Sequence, residues 1–201
     1  MQAIIHGTLL AFGLILPLGV QNIFIFNQGA AHKKLIHASP AIITAGICDS
    51  ILILLAVQGV SVVVLNFEWL RSLLFIIGFF FLIYMGFVMW RSAPEEKGDS
   101  QKQFSARRQI AFAASVSLLN PHAIMDTIGV IGTSSLAYSG QDKWLFTMAC
   151  IFVSWAWFFS LALLGRGIGQ LRNNKVLLKR MNQVSAIIIW MMAAYLILNL
   201  F

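Results

Sequence analysis

The chain has 201 residues, of which 59% are hydrophobic and only 10% are charged, whereas an ordinary soluble domain is about 25% charged. The apolar residues form long runs, so the composition argues against a soluble domain and indicates a polytopic membrane protein. The formal net charge of +7 could suggest a nucleic-acid partner, but the basic residues are confined to short segments between apolar runs, and we expect no nucleic acid to bind.

Six apolar runs are long enough to cross a bilayer, which takes roughly 20 helical residues. In chain order they are residues 4–26, 38–65, 69–90, 110–138, 144–164 and 184–201. The polar segment 91–109 contains a proline, a glycine and several charges, and it is typical of a linker. The sequence therefore predicts an all-α integral membrane protein with a first three-helix repeat (1–90), a cytoplasmic linker (91–109) and a second three-helix repeat (110–201).

The basic residues are distributed unevenly over the loops. Twelve lie in or beside the first, third and fifth connecting segments, and two lie in the alternate segments. Since cytoplasmic loops carry an excess of Lys and Arg, we expect a multi-pass protein of the cytoplasmic membrane with its basic loops in the cytoplasm and both termini outside. The twelve are Lys33, Lys34, Arg91, Lys97, Lys102, Arg107, Arg108, Arg166, Arg172, Lys175, Lys179 and Arg180.

Prolines interrupt the first and the fourth predicted spans. Pro17 and Pro121 each remove a backbone donor and clash with the preceding turn, so both spans are predicted to be broken helices. Superposing the prolines places Asn22 opposite Asp126. The same register carries Asp49 onto the region of residues 153–154 in the fifth span. Because each half has three spans, the halves enter the membrane from opposite sides, as in the inverted repeats of secondary transporters.

Two carboxylates, Asp49 and Asp126, lie inside apolar spans. An aspartate near the bilayer centre costs about 2.5 to 3.5 kcal/mol on insertion scales, which points to a function that an apolar residue could not perform. The structural alternative is a buried pair with a basic residue such as Arg71 or Arg166, which could reach inward from a span end. Freed backbone groups and the nearby amides Gln21, Asn22 and Asn120 indicate a polar cavity at the breaks.

The sequence gives little support for redox chemistry, metal binding or catalysis. Cys48 and Cys150 lie in apolar spans without a Cys-x-x-Cys pairing, so we interpret them as packing residues. The histidines, His6, His32, His37 and His122, lack the spacing of metal ligands. We predict no metal site, no cofactor and no enzymatic activity.

Several separated motifs together resemble the LysE family of amino-acid exporters. They are Leu-Pro-Leu-Gly-Val-Gln-Asn at 16–22, Asn-Gln-Gly at 27–29, Asp49, Leu-Asn-Pro-His-Ala-Ile-Met-Asp at 119–126 and Trp-Phe-Phe-Ser-Leu-Ala-Leu-Leu at 157–164. The similarity covers essentially the whole chain and is greatest to the lysine and arginine exporter branch. It implies efflux of a basic amino acid from a bacterium, driven by the membrane potential or a proton gradient.

The resemblance also separates two branches of the family. Exporters of neutral amino acids usually carry an apolar aromatic residue at the position of Asp126 and a Pro-Gly-Pro element near Pro17. The present chain departs from its own branch at Val20, where a second proline is usual.

The residues agree with a basic substrate. A cationic side chain in a low-dielectric cavity needs opposite charge nearby, which Asp49 and Asp126 would supply. The substrate carboxylate could meet backbone donors at the half-helix starts beyond the two prolines, with Gln21, Asn22 and Asn120 around it. We therefore predict a small-molecule substrate, arginine and/or lysine, exported by alternating access, with a possible homodimer as the assembly.

Three alternatives remain open. A proton-coupled or ion transporter would use the two aspartates for the ion alone, and an exporter of neutral amino acids would share the fold. A membrane enzyme or redox conduit is the third, but the chain lacks paired thiols, haem-ligand patterns and nucleotide-binding loops.

Overall fold

The computed structural model describes residues 1–16, 19–32, 34–60, 68–91, 104–171 and 175–198. These residues form helices joined by short connections, and no strand occurs among them. The α-helices are α1 (Gln2–Ile15), α2 (Val20–Ala31), α3 (Ser39–Leu55), α4 (Glu68–Arg91), α5 (Ala106–Leu118), α6 (Pro121–Asp126), α7 (Gly140–Leu171) and α8 (Lys175–Leu198). Shorter 3₁₀ turns cover Leu35–His37 and Ser135–Ala137, and π-helical turns cover Ala56–Val60 and Thr127–Gly132.

The apolar runs of the sequence correspond to membrane-spanning helices in part. Within the described residues, Ser39–Gly59 and Gly140–Gly169 are each long and apolar enough to cross a membrane, and α1 with α2 would make a third span bent by 80°. Ile76–Arg91, Ala123–Ala137 and Asn182–Ala194 are shorter apolar helices. The prediction of apolar membrane helices is thus confirmed, while the full set of six spans stays a prediction.

Separate helices lie on either side of Pro17 and of Asn120, while the role of the two prolines in these breaks stays a prediction. Helix α1 ends at Ile15 and α2 begins at Val20, with Gly19 in an extended conformation as its N-cap; Pro17 itself lies outside the described residues. Helix α5 ends at Leu118, and α6 begins with Pro121. Proline suits the first position of a helix, because the N–H group that it lacks would have no partner there.

The two halves of the chain pack into each other. Helices α1 and α2 run along α7, α5 packs on α3, α3 crosses α7, and α4 lies against α8. Small residues allow the closest approach. A Cβ added at Gly29 would overlap the Ala162 carbonyl, and one at Gly165 would overlap the Phe26 carbonyl. In lipid, where apolar burial gives helices little reason to associate, such close backbone packing is a main source of helix association.

Candidate functional site

A cavity of about 310 Å³ lies where the two interrupted helices meet α3 and α7. We call it the central cavity. The five residues predicted from the sequence to bind substrate all line it: Gln21, Asn22, Asp49, Asn120 and Asp126. Each half of the chain therefore contributes one carboxylate and at least one amide to a single space. The other lining residues are Ala11, Leu14, Ile15, Gly19, Ile53, Ala123, Thr127, Ile131, Ser154, Phe158 and Met192.

Asp49 enters the cavity from the middle of α3. Its carboxylate accepts a hydrogen bond from Gln21 Nε2 on α2 at 3.5 Å, and the buried side chain of Ser154 on α7 lines the same cavity. Side chains from three helices thus line this part of the cavity. Because the remaining walls are largely apolar, each polar contact counts for more here than it would in water.

Asp126 occupies the last position of α6, directly before the π-helical turn Thr127–Gly132. A π turn adds a residue to the helical ladder and re-aims the side chains beside it, and such turns are frequent at functional sites. Asp126 is partly exposed, and its neighbour Thr127 also lines the cavity. The second carboxylate therefore comes from an irregular part of the backbone, unlike Asp49.

The amides hold the interruptions together. Asn22 Nδ2 donates to the Ile15 carbonyl at 2.7 Å, so it reaches across the break from α2 to the end of α1 and satisfies a carbonyl there. Asn120 is buried, and its own carbonyl accepts the first hydrogen bond of α6 from Ile124 N at 3.1 Å. The Asn22 side chain therefore joins α2 to the end of α1, and the Asn120 backbone carbonyl accepts the first hydrogen bond of α6.

The sequence prediction did not include Ser154 among the substrate-binding residues. A signal for it existed, since superposing the two halves at their prolines carries Asp49 onto residues 153–154. The apolar residues Phe158 and Met192 were missed for a different reason: nothing distinguishes a cavity-lining apolar residue of a membrane helix from one that faces lipid or a neighbouring helix.

The arrangement suits non-covalent recognition of a small cation. Two carboxylates and several amides share a cavity whose other walls are mostly apolar. Among the described residues there is no group of three or more His, Cys, Asp or Glu side chains that could hold a metal ion.

Comparison with known proteins identifies the class. The model of the LysE type translocator family matches residues 12–200. The chain is 54% identical, over all of its length and 91% of the relative, to the Bacillus subtilis (strain 168) protein named "Putative amino-acid transporter YisU". It is 31% identical to the arginine exporter protein ArgO of Escherichia coli (strain K12), over 95% of this chain and 91% of that protein. No solved structure matches the chain.

The chain belongs to the LysE family of translocators. The resemblance drawn from the separated sequence motifs is thereby confirmed, and the protein is a membrane transporter, not an enzyme.

Proposed function

We propose that the protein exports basic amino acids, arginine and/or lysine, across the cytoplasmic membrane by alternating access. The observation that carries the proposal is the convergence of Asp49 and Asp126 on one cavity. A guanidinium or ammonium group leaving water loses its hydration, and a carboxylate in the same low-dielectric space compensates for that loss. The name of the relative ArgO, an arginine exporter, supports the same substrate class.

A basic amino acid carries two cationic groups, so both carboxylates can bind it. One can pair with the side-chain cation and the other with the α-ammonium group. The α-carboxylate needs donors, which the amides of Gln21, Asn22 and Asn120 and the first N–H groups of α2 can supply. Gly19, the N-cap of α2, has no side-chain cap and lines the cavity.

Alternating access would follow from an inverted repeat. Pairing α1 and α2 with α5 and α6, α3 with α7, and α4 with α8 agrees with part of the packing, because α1 packs on α7 as α5 packs on α3. A structure made of two such halves has two similar arrangements, open to opposite sides, around a fixed site. We propose this symmetry as the basis of transport.

Neutralising either carboxylate tests the proposal. Asp126→Asn and Asp49→Asn keep the side-chain volume but remove one charge each. Losing a charge-assisted contact costs about 1.5 to 3 kcal/mol, so the apparent affinity for arginine should fall by roughly ten- to a hundredfold. Efflux of labelled arginine, lysine and threonine would be measured from proteoliposomes that contain equal amounts of each variant.

Asp142→Asn is the matched control, because Asp142 is exposed in the first turn of α7 and does not line the cavity. It should export arginine as the wild type does. Wild-type efflux of threonine without arginine or lysine would refute the substrate class. Unchanged arginine efflux from both cavity variants would refute the role of the carboxylates.

A further inference from the structure

The central cavity ends along α2 and α5. From α2 only the first turn lines it, through Gln21 and Asn22, and no residue of α5 does. The wall at this end includes Phe158 of α7, which is 1% exposed. Phe158 belongs to the same buried apolar cluster as Phe24 of α2 and Phe112 of α5. Apolar side chains from both halves of the chain therefore close the cavity on this side.

Two stacked rings form the centre of this closure. The Phe24 and Phe112 rings have centroids 4.1 Å apart and an angle of 26° between their planes. The ring of Phe104, just before α5, lies 6.1 Å from Phe24 and 5.8 Å from Phe112. The Arg108 guanidinium lies 4.4 Å from the centre of the Phe104 ring. Such ring pairs attract one another beyond the apolar area that they bury, and an amino acid cannot pass between α2 and α5 while they are stacked.

A buried amide holds the two halves together beyond the rings. Gln109, on the turn of α5 before Phe112, is 1% exposed. Its Nε2 donates to the His37 carbonyl at 2.8 Å and to the Phe104 carbonyl at 2.9 Å. His37 lies in the 3₁₀ turn between α2 and α3. These hydrogen bonds therefore hold the start of α5 against the first half of the chain and favour the stacked position of the rings.

The contact between α2 and α5 differs from the contact between α2 and α7. Gly29 of α2 packs against the α7 backbone, where an added Cβ would overlap the Ala162 carbonyl. Between α2 and α5, in contrast, the rings of Phe24 and Phe112 meet. Separating the rings moves side chains apart, whereas separating α2 from α7 would break the close backbone packing that holds membrane helices together. The contact between α2 and α5 is therefore the easier one to open.

We propose that the Phe24–Phe112 pair is a gate, which we call the aromatic gate, and that it must open for substrate to reach the central cavity from the C-terminal end of α2. The inference rests on the proposed function, because it takes transport to proceed by alternating access through that cavity. Lys33 and Lys34 follow α2 in the sequence, so we expect the gate to face the cytoplasm, the side from which an exporter takes its substrate. Gln109 favours the closed position of the gate.

The first test measures access to the cavity through the aromatic gate. A single cysteine replaces Ala123, which lines the cavity, after Cys48 and Cys150 are replaced by alanine. A membrane-impermeant methanethiosulfonate is applied to each side of the membrane in turn, and a separate Ala106→Cys variant identifies the side on which α5 begins. Phe112→Ala should raise the labelling rate of Ala123→Cys from that side roughly tenfold, because losing the ring contact shifts the equilibrium toward the open gate.

Two further variants accompany Phe112→Ala. Gln109→Met keeps a long side chain but removes both hydrogen bonds to carbonyls, so it should also raise the labelling rate from this side. Phe87→Ala is the matched control, because it removes a ring contact with Trp190 between α4 and α8, and Phe87 does not line the cavity. It should leave the labelling rate of Ala123→Cys unchanged. An unchanged rate in Phe112→Ala, or an equal rise in Phe87→Ala, would overturn the proposal.

Reversible cross-linking tests the gate in protein that has already folded. Phe24→Cys and Phe112→Cys are combined in the background without other cysteines and joined by a short bifunctional methanethiosulfonate. Because the gate could then no longer open, arginine efflux from proteoliposomes should fall to the level of empty liposomes, and a reductant should restore it. The two single variants, which the reagent can modify but not join, control for modification alone. Undiminished efflux after complete cross-linking would contradict the proposal.

Failure of this inference is distinguishable from failure of the proposed function. Cysteine labelling needs no substrate, so it tests the gate whichever amino acid is exported. If the wild type exports threonine but neither arginine nor lysine, the basic-substrate proposal fails, and the cross-linking test is run with threonine. If Ala123→Cys in otherwise unaltered helices is labelled equally fast from both sides, the cavity is not closed by the aromatic gate, and the inference fails even if arginine is exported.

Discussion

His32 follows the last residue of α2, where its ring is held from two sides. Its Nδ1 lies 2.8 Å from the Gln28 carbonyl, and since a carbonyl only accepts, Nδ1 carries the proton. Its Nε2 faces Gln109 Nε2 at 3.5 Å, and that amide donates to the His37 carbonyl at 2.8 Å and to the Phe104 carbonyl at 2.9 Å. A protonated Nε2 would meet an amide that is itself a donor, so this geometry fits only the neutral ring.

Burial lowers the pKa of His32 below its usual value of 6.5; the Gln28 carbonyl raises it again in part, and His37 lowers it further. The other charged groups near this corner, Lys34 and Arg108, are also cationic. As the pH falls below 6.5, the unfolded chain takes up a proton at this position before the folded chain does. Folding stability that is present above pH 6.5 is therefore lost as the pH falls.

We expect the melting temperature of the purified protein in detergent to decrease as the pH is lowered from 7.5 to 5. His32→Asn should flatten this dependence, because Asn can donate to the Gln28 carbonyl and does not titrate. His37→Asn should flatten the dependence only slightly, because His37 is exposed and acts on His32 through its charge, with the two ring centres 6.2 Å apart. A dependence that survives in His32→Asn would assign the acid sensitivity to other groups.

At the scale of helices, α2 and α7 pack backbone against backbone across the two halves. Gly29 of α2 and Gly169 of α7 leave no room for a side chain, because an added Cβ would overlap the backbone of Ala162 or of Ala30. Gly167 on the same stretch of α7 has nothing within 4 Å of such an added atom. Gly29 and Gly167 therefore offer a matched pair of substitutions, one at the tight contact between α2 and α7 and one away from it.

Gly29→Ala should destabilise the protein by about 1 to 3 kcal/mol, the usual cost of overpacking a tight contact. Gly167→Ala should be neutral or slightly stabilising, because alanine favours helix more than glycine does. Thermal unfolding in one detergent and the yield of folded protein would measure the difference. Equal thermal stability of the two variants would show that α2 and α7 can move apart at Gly29 without destabilising the protein.

Some features of the fold could be predicted from the sequence, and others depend on packing between helices. Asp49 and Asp126 could be singled out because the residues around them are apolar. Pro121 correctly predicted the start of α6. Helix α7, however, continues to Leu171, beyond the predicted end at residue 164, through three glycines that a local reading treats as helix-breaking. Two of them, Gly165 and Gly169, allow the close contact with α2, which no local sequence pattern contains.

The shape of the cavity also could not be predicted from the sequence. The 80° bend between α1 and α2 and the π-helical turn after Asp126 depend on how the halves pack, not on local preference. The five residues proposed to bind substrate could be grouped from the sequence because polar residues are rare in the predicted spans. The hydrogen bond between Gln21 and Asp49 could not be identified, because it depends on how α2 packs against α3.

For the whole molecule, the orientation in the membrane follows from the longest helix. Helix α7 has 32 residues, which corresponds to about 48 Å at 1.5 Å per residue and exceeds a hydrocarbon core of about 30 Å. We therefore expect its two ends to lie on opposite sides of the bilayer. Because basic residues follow its C-terminal end, the positive-inside rule leads us to expect that end in the cytoplasm.

This orientation predicts opposite accessibility for two exposed positions, Ala106 at the start of α5 and Gln141 at the start of α7. Single cysteines would be introduced there after Cys48 and Cys150, both buried, are replaced by alanine. In intact cells a membrane-impermeant maleimide should label Gln141→Cys, while Ala106→Cys should react only after permeabilisation. Labelling of both from outside would mean that α5 and α6 enter and leave the membrane on one side. The halves would then have unequal numbers of crossings, and the inverted repeat would be lost even if the cavity and its two carboxylates remained.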